Sequence, residues 1–478
     1  MDKEHQIDYG RMPVRVRPYA HQAEAYGFTL DRLTEEDGGG AAILMEMGTG
    51  KTLVGVAVTG TLYRRGLIRR VLVVAPLSVL SVWEDEFSRM AAFPFGFTRL
   101  EGSIGDKKTQ LEKIPSGTLQ IVAVNYESAW RLEAELMKLT PDLIIADEGH
   151  RIKDSQTRQS RCLHRLGDRA RYRMLLTGTL ITNREIDVYS EYRFVNRLIF
   201  GESFYRFRNR YFDMTGYGNH TPKFRSSMLD EFLTKLHSCA YRVTKEECLD
   251  LPDTTEEIRK VTLENDAMNL YRHIEKENFA ELAGSEVSAV NILSRLLRLS
   301  QITGGHVTDD ERTTRTVSRA KLEALADIIE SVTADGGKLV IMARFTAELD
   351  DIEDLLDKKH IEHAVIRGST TDRDDQIFRF QNVRDCRVFV GQIAAAGLGL
   401  TLTASHTMCF YSLDYSMSNF EQAKARIHRV GQKNVCHYIY LIAEQTVDSK
   451  VLQSLRDKTD LAHLLIDEWR SGKNPYEP

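Results

Sequence analysis

The sequence has no C-x-x-C pair, and its six cysteines, Cys162, Cys239, Cys248, Cys386, Cys409 and Cys436, are scattered over 478 residues. Such spacing indicates neither a zinc site nor a disulfide framework, so these thiols read as reduced core or surface residues. No apolar run approaches the length that spans a bilayer, and Met1 to Gly10 is polar and charged where a secretory signal would carry a hydrophobic core. A cytoplasmic setting without membrane contact is expected, in a bacterial cytosol or a virus-infected cell, with a nuclear one left open. Low-complexity tracts and short repeats are missing as well. Neither sign of charge is in large excess. A formal net charge of −5 argues against wholesale electrostatic binding of nucleic acid, yet leaves room for a local basic groove.

What is present is chain enough, at 42% hydrophobic residues, for two lobes with real cores. Short β-branched runs alternate with helical stretches: Ala41 to Leu44, Val71 to Ala75, Leu119 to Val124, Leu143 to Ala146 and Arg173 to Leu176. The pattern returns at Lys338 to Ala343, Ala364 to Arg367, Val388 to Val390, Thr407 to Phe410 and Cys436 to Leu441. Apolar runs of this length, separated by helices, are what a buried parallel sheet requires, so the fold class is α/β with two parallel-sheet lobes. Between them, Glu185 to Arg315 has helical periodicity, many arginines and aromatics, and few strand runs. The expected boundaries are an N-terminal lobe over 1–245 with a helical insertion from about residue 185, a helical connector over 246–317, and a C-terminal lobe over 318–478. Leu251-Pro252-Asp253 reads as a break, Gly304-Gly305 as a helix end, and the stretch after Thr446 as a helix running through Leu461 to Trp469.

The most informative segment is Gly48-Thr49-Gly50-Lys51-Thr52, placed between the apolar run Ala41 to Leu44 and the helix-like Leu53 to Leu62. Glycines there let backbone N–H groups converge on anionic oxygens, and the following helix N-terminus adds favourable partial charge. Lys51 is suited to the β and γ phosphates and Thr52 to Mg²⁺. Met45 stands where the eight-residue pattern begins with glycine, and a glycine turn that merely caps a helix is the competing reading. Downstream, the strand Asp142 to Ala146 ends in Asp147-Glu148, two carboxylates at the edge where α/β sheets bind ligands. Asp147 is suited to hold the metal shell and Glu148 to polarise a water. Far along the chain, Gln422, Arg426 and Arg429 fall at i, i+4 and i+7 and are expected on one helix face. A solvated helix face explains such spacing equally well. Phosphoryl transfer, however, needs positive charge on the leaving γ-phosphate, which arginine fingers supply.

With these segments in order, the chain resembles the Swi/Snf family of superfamily-two helicase-like ATPases over nearly its whole length. Arg17-Pro18-Tyr19 with His21-Gln22 is similar to the adenine-sensing Q motif, and Glu46 to Thr52 to motif I. Ala75-Pro76-Leu77 with Trp83 resembles motif Ia, and Asn125-Tyr126-Glu127 motif Ib. Asp147 to His150 matches motif II, and Leu175 to Thr179, continuing to Asn183, motif III. Arg242, Thr244 and Lys245 with Leu251-Pro252 resemble a family stretch, and Ser318 to Leu322 the entry to the second lobe. Val340 to Thr346, Ala395 to Thr403 and Gln422 to Gln432 resemble motifs IV, V and VI. Met45, Gly149 and Leu180 depart from the family pattern without removing a group that touches ATP.

The resemblance implies two RecA-like lobes, with ATP and Mg²⁺ held by Gln22, Gly48, Thr49, Gly50, Lys51, Thr52, Asp147 and Gly399. Glu148 would activate water, and Gln422, Arg426 and Arg429 would complete the site on closure of the second lobe, so that hydrolysis is gated by that motion. Ser78, Asn125, Thr177 and Thr401 would contact the DNA backbone. Two arginine-rich stretches, Arg151 to Arg173 and Arg193 to Arg210, the second interleaved with Phe194, Phe204, Tyr205, Phe207 and Tyr211, are further candidates. A solvated face over packed aromatics is the alternative there, and Trp83 is expected in the core. The expected activity is a DNA-stimulated ATPase that translocates on duplex DNA as a monomeric motor, alone or with a separate protein partner. A strand-separating DNA or RNA helicase, and a nucleotide-dependent scaffold without turnover, remain the alternatives.

Overall fold

In a computed structural model the described residues are 12–35, 39–115, 117–178, 185–215, 221–248, 251–283, 289–308, 313–334, 336–396, 400–457 and 461. The chain divides into two units, Met1–Asp250 and Leu251–Pro478.

In the first unit the strands are β1 (Gly40–Met45), β2 (Arg70–Ala75), β3 (Phe95–Arg99), β4 (Leu119–Asn125), β5 (Leu143–Asp147), β6 (Tyr172–Thr177), β7 (Phe212–Thr215), β8 (Thr221–Phe224) and β9 (Ala240–Val243). Seven form one sheet in the order β3-β4-β2-β5-β6-β1-β9, with every neighbour pair parallel. Helices cover both faces, so the central strands are buried throughout and apolar at nearly every position. Alternation sends Ile43, Val73 and Ile145 into one core and Ala42, Val74 and Ile144 into the other. The remaining two strands, β7 and β8, pair as an antiparallel hairpin in the helical insertion. There Phe200, Phe207, Tyr211 and Phe232 pack ring on ring.

The second unit adds β10 (Thr254–Val261), β11 (His306–Thr308), β12 (Thr314–Thr316), β13 (Leu339–Ala343), β14 (His363–Ile366), β15 (Val388–Gln392), β16 (Thr407–Phe410) and β17 (Cys436–Ala443). Its sheet runs β10-β17-β16-β13-β15-β14, again parallel throughout. A buried ion pair, Lys321 Nζ to Asp448 Oδ2 at 2.6 Å, ties the helix Ala320–Ala334 to the helix Asp448–Arg456.

The α/β, two-lobe expectation holds. The helical connector over 246–317 does not stand apart, because Leu251 onward belongs to the second unit. Within that span Thr254–Val261 is an edge strand of the second sheet, and the helix Ala289–Thr303 places Leu296, Leu299 and Ile302 in the second unit's core. The strand reads as polar because its side chains face water and ion pairs: Glu256 meets Lys424 and Arg456, and Glu257 meets Arg259. Gly305, at φ +101°, follows the end of the helix Ala289–Thr303, as the glycine pair suggests. The expected helical stretch 462–469 lies outside the described residues.

Candidate nucleotide site and nucleic-acid surface

The phosphate loop joins β1 to the helix Lys51–Arg64, whose first residues follow Gly50 at φ +88°. Only glycine fits there: a Cβ on Gly50 would lie 2.1 Å from Gln22 Nε2. Gln22 itself is buried, with Nε2 donating to the Thr49 carbonyl at 3.0 Å and Oε1 accepting from the Tyr19 amide at 3.0 Å. His21 Nε2 lies 2.8 Å from the same Thr49 carbonyl. The Q-motif residues are thus built into the phosphate loop. The Lys51 ammonium donates to the carbonyls of Met45 at 2.8 Å and Glu46 at 3.3 Å. Glu46 in turn accepts from the Lys245 amide at 2.9 Å, which pins the Arg242 to Lys245 stretch beside the loop.

Asp147 and Glu148 follow at the C-terminal end of β5, both buried. Glu148 takes a left-handed backbone, φ +53°, a conformation that an L side chain holds only where its surroundings impose it. Burial, and then the neighbouring Glu148 charge, push the Asp147 carboxyl above the usual carboxylate range, while a hydrogen bond from Trp83 and the nearby Lys51 ammonium oppose that shift. Lys51 and Asp147 therefore sit within electrostatic reach of one another. His150 Nδ1 lies 3.4 Å from Glu148 Oε2. Burial and the cations Arg151, Lys153 and Lys51 lower His150 to about 4, so the imidazole beside Glu148 is neutral at physiological pH.

In the second unit the helix Met417–Lys424 carries Gln422 but ends before Arg426 and Arg429. The shared helix face is therefore corrected: the chain leaves the helix in turns, with the Arg426 amide reaching back only to the Ala423 carbonyl. The two arginines converge in another way. Arg426 Nη1 and Arg429 Nη1 donate to one acceptor, the Leu400 carbonyl, at 3.1 and 3.0 Å. Gln432 holds this turn, donating to the Ser405 and Ile427 carbonyls at 2.8 and 3.2 Å and accepting from the Lys433 and Asn434 amides. Gln422 is buried, with Nε2 on Ser418 Oγ and Oε1 without a partner among the described residues.

The nucleic-acid candidates separate. Thr177, at the end of β6, is fully buried and is not presented to a phosphate. Asn125 caps the short helix Tyr126–Ala129 and donates to Glu127 at 2.9 Å. Thr401 is partly exposed, and its carbonyl accepts from Gln381 at 2.8 Å. Gly399, Thr179, Leu180, Asn183 and the side chain of Ser78 lie outside the described residues. Many of the arginines are engaged: Arg165 with Glu133, Arg193 with Asp168, Arg197 with Glu202 and Arg210 with Glu231. Phe194, Phe207 and Tyr211 are core residues, as the packed-aromatic reading has it. On the helix Phe204–Tyr211, Tyr205 is 66% exposed with the Arg208 guanidinium over its ring at 5.2 Å, and Arg206 and Arg208 have no carboxylate partner among the described residues. Trp83 lies in the core, as expected from the sequence, and its indole also reaches Asp147, a contact the sequence reading misses. The signal for that contact is its place in motif Ia, on the helix that follows the strand next to motif II.

Comparison with known proteins decides the family. The SNF2-related domain matches residues 21–305, and the helicase conserved C-terminal domain matches residues 320–431. The chain belongs to the SNF2-related family. The Swi/Snf resemblance carried by the motifs is thereby shown, and SNF2-related proteins are helicase-like ATP hydrolases that act on DNA. This SNF2-related chain is 28% identical over 446 residues to the transcription regulatory protein SNF2 of Saccharomyces cerevisiae, a match covering 87% of the chain and 26% of the yeast protein. It is 25% identical over 507 residues to the DNA repair and recombination protein RAD54-like of Drosophila yakuba, covering 95% of the chain and 64% of the fly protein. The chain therefore spans less than two thirds of either relative. Among solved structures it is similar to the Sulfolobus solfataricus SWI2/SNF2 ATPase core in complex with dsDNA, at 24% identity and a TM-score of 0.47, covering 96% of this chain and 97% of that one.

Proposed function

We propose that this SNF2-related chain is a DNA-stimulated ATPase that moves along duplex DNA as a monomeric motor without needing to separate the strands. The observation that carries the reading is the cluster at the ends of β1 and β5, where the Lys51 ammonium, Asp147 and Glu148 meet beside a loop that only glycine can form. The amides opening the helix Lys51–Arg64 and the Lys51 ammonium bind the β and γ phosphates. Thr52 and Asp147 offer a hydroxyl and a carboxylate, the hard oxygen donors that Mg²⁺ takes. Asp147 accepts two hydrogen bonds to its side chain and keeps lone pairs for the metal, since a carboxylate has about four acceptor sites. Mg²⁺ held by these donors would supply positive charge against the phosphate oxygens. Glu148 orients the attacking water, with the neutral His150 beside it. Arg426 and Arg429 serve as the fingers that stabilise charge on the departing phosphoryl group. Tyr19, 49% exposed beside the loop, and the buried Gln22 flank the place of the base.

Duplex DNA as the stimulating polymer is supported by the likeness to the fly DNA repair and recombination protein, and by the exposed Tyr205, Arg206 and Arg208 face. The test is phosphate release with no polymer, single-stranded DNA, duplex DNA, forked DNA and RNA, each against Glu148→Gln. Release highest with duplex is the expected result. No release above the Glu148→Gln control would make the chain a nucleotide-dependent scaffold, and stimulation by RNA alone would move it to RNA.

A further inference from the structure

Asp147 is gripped from two sides by residues outside its own segment. Trp83 Nε1 donates to Asp147 Oδ2 at 2.8 Å, and Tyr126 Oη donates to the Asp147 carbonyl at 2.7 Å. Asp147 Oδ1 accepts from the Glu148 amide at 2.9 Å, which closes the left-handed turn. Trp83 and Tyr126 have no exposed surface. Each comes from the segment following a strand near β5: Trp83 from the helix Leu80–Met90 after β2, and Tyr126 from the first position of the helix Tyr126–Ala129 after β4.

The geometry of these bonds is stiff. The indole N–H is a donor only, and its ring cannot swing away: Trp83 packs against Phe87, and a Cβ on Gly55 in the phosphate-loop helix would lie 2.9 Å from the Trp83 ring. A donor so immobilised fixes the plane of the carboxylate it meets. A carboxylate that loses the indole and is left with the Glu148 amide alone regains freedom about its terminal bond. Tyr126 does the same for the main chain, holding the carbonyl from which the Glu148 turn departs.

We propose that Trp83 and Tyr126 are positioning residues that set the Asp147 carboxylate and the Glu148 turn for the metal-bound nucleotide. This rests on the nucleotide-site reading above. Neither residue touches a reacting atom, and both act through Asp147. The consequence separates them from ordinary core residues. A packing defect at Trp83 would disturb the phosphate-loop helix through Gly55 and weaken nucleotide binding whether or not metal is present. A positioning defect would weaken only the metal-dependent part.

The experiment is equilibrium binding of a fluorescent ATP analogue to the full chain, in Mg²⁺ and in EDTA, for the parent, Trp83→Phe, Tyr126→Phe, Asp147→Asn and Trp83→Phe/Asp147→Asn. Trp83→Phe is expected to weaken binding about tenfold in Mg²⁺ and by less than about twofold in EDTA. Tyr126→Phe, which keeps its ring in place, is expected to show the same Mg²⁺-specific loss at about threefold. In the Asp147→Asn background, Trp83→Phe is expected to add nothing further. Equal losses in Mg²⁺ and EDTA, undiminished loss in the Asp147→Asn background, or parent-like binding by both single variants would each overturn the proposal. A parent that does not bind the analogue in Mg²⁺ would overturn the nucleotide-site reading as well, which distinguishes the two failures.

Discussion

Lys51 enters the phosphate loop with its ammonium already bonded to the Met45 and Glu46 carbonyls, so nucleotide binding exchanges neutral acceptors for charged ones. Lys51→Ala is expected to weaken nucleotide binding and abolish turnover, and Glu148→Gln to keep binding while blocking hydrolysis, as read by analogue binding and phosphate release. Turnover by Glu148→Gln equal to the parent's would remove Glu148 from its role. Arg426 and Arg429, drawn onto one carbonyl, are each expected to lower the turnover number on the order of 10³ when changed to Ala. A loss below about tenfold at both would mean they are not fingers. Glu348 gives a pH-dependent prediction away from the site. Its Oε2 accepts from the Arg344 and Phe345 amides and from Ser412, but Oε1 is buried without a partner among the described residues. Burial raises the carboxyl to about 7, so the folded chain holds this proton where the unfolded chain has lost it. That contribution is full below the ordinary value of 4.5 and is lost as pH rises towards about 7. Glu348→Gln is expected to flatten this part of the stability curve and to be no less stable than the parent at pH 8, measured by denaturant titration. A Gln variant with the parent's pH dependence would contradict the assignment.

Elements were legible where burial dictated their composition. The central strands β1, β2, β4, β5 and β6 are apolar because both faces are covered, and each was readable from that alone. The edge strands β3, β9 and β10 were not. Phe95–Arg99 is half-buried along its length, Ala240–Val243 is short, and Thr254–Val261 is charged because its partners are ion pairs across the chain. Spacing also misled at motif VI, since an i, i+4, i+7 pattern cannot reveal that the helix stops at Lys424. The convergence of Arg426 and Arg429 depends on Leu400, which lies 26 residues from the nearer arginine. The arginine-rich helices show the same limit: Arg193 and Arg210 are committed to Asp168 and Glu231, and sequence alone does not show which cations are left. On the helix Phe204–Tyr211 that remainder is Arg206 and Arg208. Changing both to Ala is expected to weaken duplex binding evenly across sequences and to lower the slope of log affinity against log salt by about 2. An unchanged slope in a fluorescence-anisotropy titration would take this face out of the DNA surface.

At the scale of the whole molecule, each unit is a parallel sheet with helices on its faces, and each carries its functional residues at segments following strand ends. The nucleotide-binding set belongs to the first unit and the two arginines to the second. Hydrolysis is proposed to drive movement along intact duplex. Displacement of a third strand from a DNA triplex tests it most directly, because a motor that tracks along duplex strips the third strand without opening the other two. ATP-dependent release of the third strand by the parent, none by Glu148→Gln, and no strand separation on a forked duplex under the same conditions are the expected results. Separation of the fork, or ATP hydrolysis stimulated by duplex without release of the third strand, would contradict the proposal.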